Sequence, residues 1–330
     1  MSSRTRPLIA VVVLVPVLAA LALWAFAWPA SRIAPRDLPL GVAGPAAAAA
    51  QVERQLEKHE GAFEIHRYAD EAAARDAVED RSVYGAVVVT PRGPELLTAS
   101  AAGPAVAQFL QQAVNRQASA EGTQVTTVDV VPTPASDPRG AVLNAAVLPL
   151  ALAGIAAGAV VTLLGLRGMR AVTALLAASA LVGAVAAGIA HSWLGALAGD
   201  WWVEASALGL STLAVGAAVA GPAALVGPAG TGIGAALVML VGNPFSGATS
   251  APQMLPEPAG AIGRWLPPGA GTSLLRSVSY FDGAAAAGPA LTLAWWAALG
   301  LGAVLLGDAL RTRKKDSAPA TGRRDLATAG

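Results

Sequence analysis

His59 and His66 stand seven residues apart across an expected turn, with Glu57, Glu60 and Glu64 beside them. Imidazole and carboxylate are the ligands that zinc and related ions take. The stretch has no helical i, i+4 pair and no compact ligand cluster, so a solvated charged surface accounts for it better than a metal site. Gly230, Gly232 and Gly234 have a superficial likeness to a nucleotide-binding turn, but no strand precedes them and they open an apolar span. Close helix packing is the better reading. The chain holds no G-x-x-x-x-G-K-[ST], no G-x-S-x-G and no H-E-x-x-H. Those absences remove P-loop ATP hydrolysis, the nucleophile-elbow hydrolases and the zincin metalloproteases. Cysteine is missing altogether, which excludes disulfides, thiolate nucleophiles and sulfur-ligated metals. The expectation is no catalytic residue, no cofactor and no metal.

What remains is a chain built for the membrane. Of its 330 residues 55 % are hydrophobic, and the mean hydropathy is +0.55. The net charge of +1, with no basic stripe, points away from nucleic acid. A helix needs about 20 apolar residues to cross the hydrocarbon core. Six stretches are candidates: Pro7 to Trp28, Val142 to Leu166, Arg170 to Ala190, Ala205 to Val226, Thr231 to Gly242, and Pro289 to Leu310. The fifth is short, and the Gly221-Pro222 and Gly227-Pro228 pairs blur its start. The first has arginines before it and a small-x-small pattern at Ala25-Phe26-Ala27, as a cleaved signal peptide would. Its apolar core is longer than a signal h-region, which favours a retained anchor.

Positive charge sets the orientation. Arg4 and Arg6 precede the first span, Arg167 and Arg170 separate the second from the third, and Arg311, Arg313, Lys314, Lys315, Arg323 and Arg324 follow the sixth. With six spans these fall on one side, so both termini are expected in the cytoplasm of a multi-pass cell-membrane protein. The opposite loop, His191 to Glu204, carries Asp200 and Glu204 and neither Lys nor Arg. Trp24, Trp28, Trp193, Trp201, Trp202, Trp265, Trp295 and Trp296 all fall at or near the outer face in this topology, where amphipathic rings prefer to lie.

The interval 29–141 holds most of the acidic groups and reads as a folded α/β domain outside the membrane. Leu38 to Ala43 is strand-like, Pro45 to Glu60 helical, and Ala62 to Tyr68 strand-like again. Asp70 sits where an N-cap belongs, ahead of a helix to Asp80, and Tyr84 to Val89 is a compact β-branched run. Glu95 to Ser100 and Gln124 to Val131 are further strands around a helix from Pro104 to Ala120. At about 110 residues the interval is large enough for its own core. The organisation is thus a tip and first helix (1–28), the α/β domain (29–141), a five-helix membrane domain (142–310) and a basic tail (311–330) expected to be disordered.

The spans read as nearly free of ionisable groups, with only Asp308 near the cytoplasmic end of the sixth. An ion-coupled transporter usually carries such a group, so any energy would come from a partner. Asn144, Thr162, Thr173, Ser179, Ser206, Ser211 and Thr212 suit helix packing better than a pathway. Gly154 and Gly158 likewise suit close helix contact. Between the fifth and sixth spans, 243–282 is Pro-interrupted and moderately apolar. Its pieces are too short to span, and read as re-entrant or interfacial helices at the outer side, enclosed by protein or water.

These elements resemble the ABC-2 type permeases, particularly those with a large external domain between the first two helices, similar to the YhgE/Pip (phage infection protein) proteins. Leu38-Pro39-Leu40-Gly41-Val42 matches the opening strand of that domain. Asp70 to Asp80 followed by Tyr84-Gly85-Ala86-Val87-Val88-Val89 matches its helix and next strand. Gly242 to Gly247, Leu255-Pro256, and Leu266-Pro267 through Arg276 match its later elements.

The resemblance implies an export permease subunit without its own ATPase, for an amphipathic or envelope-related substrate. It would contact membrane lipid, act as a homodimer or heterodimer, and work with a separate ABC ATPase. Arg167, Gly168 and Arg170 would contact that ATPase. Asn243, Pro244, Ser246, Gly247, Pro256, Pro267 and Arg276 would form an outer gate. Two features depart from the family pattern: only Met1 to Arg6 precede the first span, and the turn Gly165 to Arg170 is short for a coupling helix. The rival reading is a non-transporting membrane protein whose external domain binds a partner, as an envelope scaffold or a phage receptor does.

Overall fold

A computed structural model describes residues 5–316 apart from Glu121. A first helix, α1 (Thr5–Ala30), leads into β1 (Leu38–Ala43), α2 (Ala46–Glu57), β2 (Phe63–Tyr68), α3 (Glu71–Glu79) and the hairpin β3 (Gly85–Thr90) and β4 (Gly93–Thr98). Then come α4 (Pro104–Ala120) and β5 (Thr126–Asp129). The rest is helical. It comprises α5 (Ala141–Leu163), α6 (Gly168–Ala187, prolonged by a π turn to Trp193), α7 (Trp201–Val226), α8 (Pro228–Ala236, prolonged by a π turn to Gly242), α9 (Ala259–Arg264), α10 (Pro267–Tyr280) and α11 (Ala287–Asp316).

The strands form one mixed sheet in the order β2-β1-β3-β4-β5. β1 runs parallel to β2 and β3, and β4 is antiparallel to β3 and parallel to β5. Alternation along the strands sends Leu38, Leu40, Val87 and Leu96 to one face, against Val106 and Leu110 of α4. Ala43, Ala86, Val88 and Leu97 go to the other, against Ala74, Ala77 and Val78 of α3. Burial on both faces is why β1 and β3 read as nearly unbroken apolar runs. Asp70 caps α3, its Oδ1 accepting the Ala73 N–H at 2.9 Å.

In the bundle, α7 is the central helix, packed on α5, α6, α8, α10 and α11. Small residues make that crowding feasible. A Cβ on Gly154 would lie 2.6 Å from the Val215 Cβ, and one on Gly230 would lie 2.2 Å from the Pro222 carbonyl oxygen. Close helix packing is therefore what Gly154, Gly158, Gly230 and Gly234 do, whereas a Cβ on Gly232 would have nothing within 4 Å. One end of the bundle, with Leu143, Ala187, Leu197 and Ala205, adjoins the sheet, and the far end is built from Val161, Ala171, Val172 and Val304.

Among the described residues five helices are long and apolar enough to cross a membrane: Val11–Ala30, Ala141–Leu163, Gly168–Trp193, Trp201–Val226 and Ala287–Arg313. The expected fifth of six spans is the shorter apolar helix Pro228–Gly242. Gly227, at φ 78°, ends α7 and Pro228 restarts the chain at once, so α8 begins three residues before the expected Thr231. The tail also differs at its start, because residues 311–316 continue α11. Arg4, Arg323 and Arg324, and with them the rest of the tail, lie outside the described residues, as do the side chains of Arg6, Lys314 and Lys315.

Candidate functional site

The Pro-interrupted segment after α8 is wedged between sheet and bundle. Asn243 donates its N–H to Val238 O at 2.8 Å as α8 ends, and the Ser246 hydroxyl donates to Asn243 O at 2.7 Å. Pro244 follows the cap, and Gly247 turns the chain at φ 64°, with Pro252 packed so closely that a Cβ would lie 2.7 Å from its nitrogen. Pro256 O accepts the Ala259 N–H at 2.8 Å and so starts α9, while Pro267 occupies the first turn of α10. From Phe245 to Ala248 and from Leu266 to Thr272 every residue is buried. Broken backbone is thereby enclosed in protein, as membrane depth would require.

Its middle enters the sheet's core. Ala251 and Met254 pack with Leu38, Leu40, Val87 and Leu96. The linker after α1 pairs with the same turn, Ala34 N–H on Met254 O at 3.0 Å and Arg36 N–H on Gln253 O at 2.9 Å. The Tyr84 hydroxyl donates to Gln253 Oε1 at 2.9 Å, and burial pushes its pKa up, which keeps that proton in place. Arg81, just past α3, donates to Ser273 O at 3.0 Å and to the Ser277 hydroxyl, with its guanidinium 5.2 Å over the Phe281 ring. Sheet, turn and α10 are thus joined by side chains at both ends of the wedge.

Arg276 is the buried charge of this junction. Its Nη2 donates to Ala248 O and sits 3.5 Å from Asn144 Oδ1 on α5. Burial pushes its pKa down to about 10, so it keeps its charge at neutral pH. Among the described residues no carboxylate pairs with it. Carbonyl dipoles hold the guanidinium instead. The expected gate residues therefore divide: Asn243, Ser246, Gly247 and Arg276 meet around one turn, whereas Pro256 and Pro267 begin the next two helices. Pro267 also borders a cavity of only about 30 Å³ between α5, α7 and α10, which is room for about one water.

At the far end of the bundle, Arg167 and Arg170 are exposed and Gly168 is buried. Gly168 has φ 51° and its Cα faces the carboxylate of Asp308 on α11. Leu163, Leu164 and Met169 are exposed beside the arginines, around a shallow depression of about 410 Å³ that Gly165, Leu166, Arg167, Met169 and Arg170 line. All eight tryptophans lie in the opposite half, near the sheet: Trp24 stacks on Trp28 at 5.5 Å, Trp28 meets Phe245 edge-on, and Trp296 Nε1 donates to Trp265 O at 2.7 Å.

Sequence reasoning missed one pair. Glu204 is fully buried in the first turn of α7 and meets His191 in the π turn that ends α6, so the spans do hold an ionisable group besides Asp308. Hydropathy placed Glu204 in a loop and began the helix at Ala205. The usable signal was Asp200, whose side chain accepts from Trp202 and Val203 N–H at 2.9 and 3.0 Å and so sets the helix start at Trp201. The histidines considered for a metal are kept apart in role: His66 sits 3.4 Å from Glu64 on the half-buried edge strand β2, and His59 follows α2. Among the described residues no three His, Asp or Glu gather.

A family model described as ABC-2 family transporter protein matches residues 6–171, from α1 through the sheet and α5 to the Arg167–Arg170 turn. No curated protein and no solved structure matches the chain significantly. The matched region is half of the 330 residues, and with its several apolar helices the chain is a multi-pass membrane protein that belongs to the ABC-2 transporter family.

Proposed function

We propose that this chain is the permease subunit of an exporter, dimeric and driven by a separate ABC ATPase, that moves an amphipathic or envelope-related molecule across the cell membrane. The family match carries the reading, because it runs from α1 to the exposed Arg167–Arg170 turn that a cytoplasmic partner would meet. In this reading α8 is a sixth crossing, the sheet domain of 29–141 stands outside, both termini are cytoplasmic, and the YhgE/Pip-like layout applies. Arg167, Arg170, Arg311 and Arg313 at one end and tryptophans at the other support that orientation. Exposed Leu163, Leu164 and Met169 beside the arginines give a partner apolar area as well as charge.

The segment from Asn243 to Arg276 would be the outer gate, in a closed state given the 30 Å³ left between α5, α7 and α10. Uncharged lining such as Ser211 and Thr272 suits an amphipathic cargo. Affinity purification of the full chain from its own membranes tests the reading. An associated ATPase, together with ATP-dependent efflux of amphipathic dyes that falls in a deletion strain, is the expected result. Neither ATPase nor efflux difference would overturn it in favour of a partner-binding membrane scaffold.

A further inference from the structure

On the face of the sheet away from α3, helices α2 and α4 stand apart around a groove of about 640 Å³. Leu40, Val87 and Val89 form its floor. Val52 and Leu56 of α2 and Phe109 and Val114 of α4 form its walls. This is where the core between a sheet and its helices belongs, and α2 contributes only one fully buried residue, Ala49. Voids in protein cores rarely exceed a water or so, whereas this volume would hold roughly twenty waters at about 30 Å³ each. It falls within the range of small-molecule sites, about 300–1,000 Å³. An apolar wall left to water is unfavourable, so the groove favours an apolar occupant.

Charge specifies the other part of that occupant. Arg116 and His59 are the ionisable residues that line the groove, and no Asp or Glu among the described residues does. The two sit at opposite ends. Phe63 pairs with Leu38 at the start of β1, a few residues past α1, so the end with Pro35, Phe63 and His59 lies toward the bundle. α4 starts against Ser250 and runs away from it, which puts Arg116 and Thr123 at the far end.

We propose that the groove binds one long-chain acyl amphiphile with an anionic head, drawn from the membrane, with its head at Arg116 and its chain along Val87 and Leu40 toward Phe63. The floor residues Leu40 and Val87 also touch Ala251 and Met254 of the wedge, so the occupant would bear on the turn that Arg276 holds. The site stands on the sheet domain alone and does not require the transport reading.

The test uses the full chain in nanodiscs of saturated phosphatidylcholine, titrated with anthroyloxy-stearate and, separately, with the corresponding fatty alcohol. Saturable fluorescence enhancement with one probe per chain is expected. Ala113→Trp, which fills the groove, should abolish both signals. Arg116→Gln, on an exposed side chain that leaves the fold intact, should weaken the acid about tenfold and spare the alcohol, as loss of one charge-assisted hydrogen bond would. A signal no greater than that of empty nanodiscs, or one that Ala113→Trp leaves unchanged, overturns the proposal. Equal loss of acid and alcohol in Arg116→Gln overturns the anionic head. A change of oligomeric state in Ala113→Trp without probe binding would assign the groove to a second copy and likewise overturn it.

Discussion

The Oε2 of Glu204 lies 2.8 Å from Nδ1 of His191, and its Oε1 accepts the Gly199 N–H at 2.8 Å. The two contacts close the α6–α7 connection over a carboxylate that has no exposed surface. A buried carboxylate persists only where its oxygens are met, and removing a partner leaves the other uncompensated. Glu204→Ala should therefore cost about 3 kcal/mol and Glu204→Gln about half of that. Combining Glu204→Ala with His191→Ala should cost less than the two singles together, because the second loss no longer strands a partner. Unfolding titrations of the four proteins in mixed micelles measure this, and strict additivity would contradict the coupling.

How much of this was legible in the sequence depends on the range of each interaction. β1, β3 and α3 were readable because β-branched runs and the Asp70 cap act within a few residues. The Arg276 motif was visible, but its meaning was not, since Ala248 and Asn144 lie 28 and 132 residues away. Glu204 was misplaced because hydropathy weighs a residue by its own polarity and not by the His191 that a π turn brings to it. The groove beside α2 left no mark in periodicity at all: Val52 and Leu56 show the spacing of a core face, and only the structure shows that no side chains of the chain fill the space before them.

Arg276 invites a test that separates local from global effects. Arg276→Met keeps apolar volume but leaves Ala248 O and Asn144 Oδ1 without their donor, a cost of about 2 kcal/mol. Amides 246–251 should then exchange faster while those in the middle of α7 do not, because the guanidinium holds that turn and not the bundle. Hydrogen exchange with mass spectrometry reads both. Faster exchange throughout α7 would show that Arg276 supports the bundle as a whole.

Two left-handed glycines should differ in tolerance. Gly247→Ala places a Cβ against backbone that cannot yield and should cost about 2–3 kcal/mol, strain and overlap together. Gly168→Ala meets only the end of the Asp308 side chain, which can turn aside, so about 1 kcal/mol of backbone strain remains. Thermal midpoints of the two variants rank them, and Asp308→Ala should not rescue the second.

The acid dependence of the sheet domain has an assignable part. Arg67 donates to Glu53 through Nε at 2.7 Å and through Nη2, joining β2 to α2. That hydrogen bonding, foremost among the causes, holds the Glu53 carboxyl below its ordinary 4.5. A folded pKa below the unfolded one means stabilisation that is present above pH 4.5 and lost as pH falls through the lower folded value. Glu53→Gln should flatten the stability profile in that acid range and leave it parallel to the parent near neutrality. The pair is exposed, so the effect is small, and pH-dependent thermal shifts suffice to see its direction.

Whether α8 completes a crossing is a question of chain geometry. α7 runs from the sheet end, at Trp201, to the far end, where Ala220 and Ala224 pack near Val304. Yet Ala251 and Met254, nine and twelve residues past Gly242, are back in the core of the sheet domain. The chain must therefore return through Pro228–Gly242, although about 15 residues rise only about 22 Å against a hydrocarbon thickness of about 30 Å. The deficit is met if Asn243 leaves the helix below the outer surface and the buried segment after it, irregular but enclosed, finishes the passage. The cysteine-free sequence makes this directly testable with single cysteines and a membrane-impermeant maleimide in intact cells. Glu79→Cys, exposed on α3, should label at once, while Ala229→Cys and Arg170→Cys should label only after permeabilisation. Asp282→Cys, exposed between α10 and α11, should label in intact cells, and its protection until permeabilisation would show that α8 does not cross and leave five crossings.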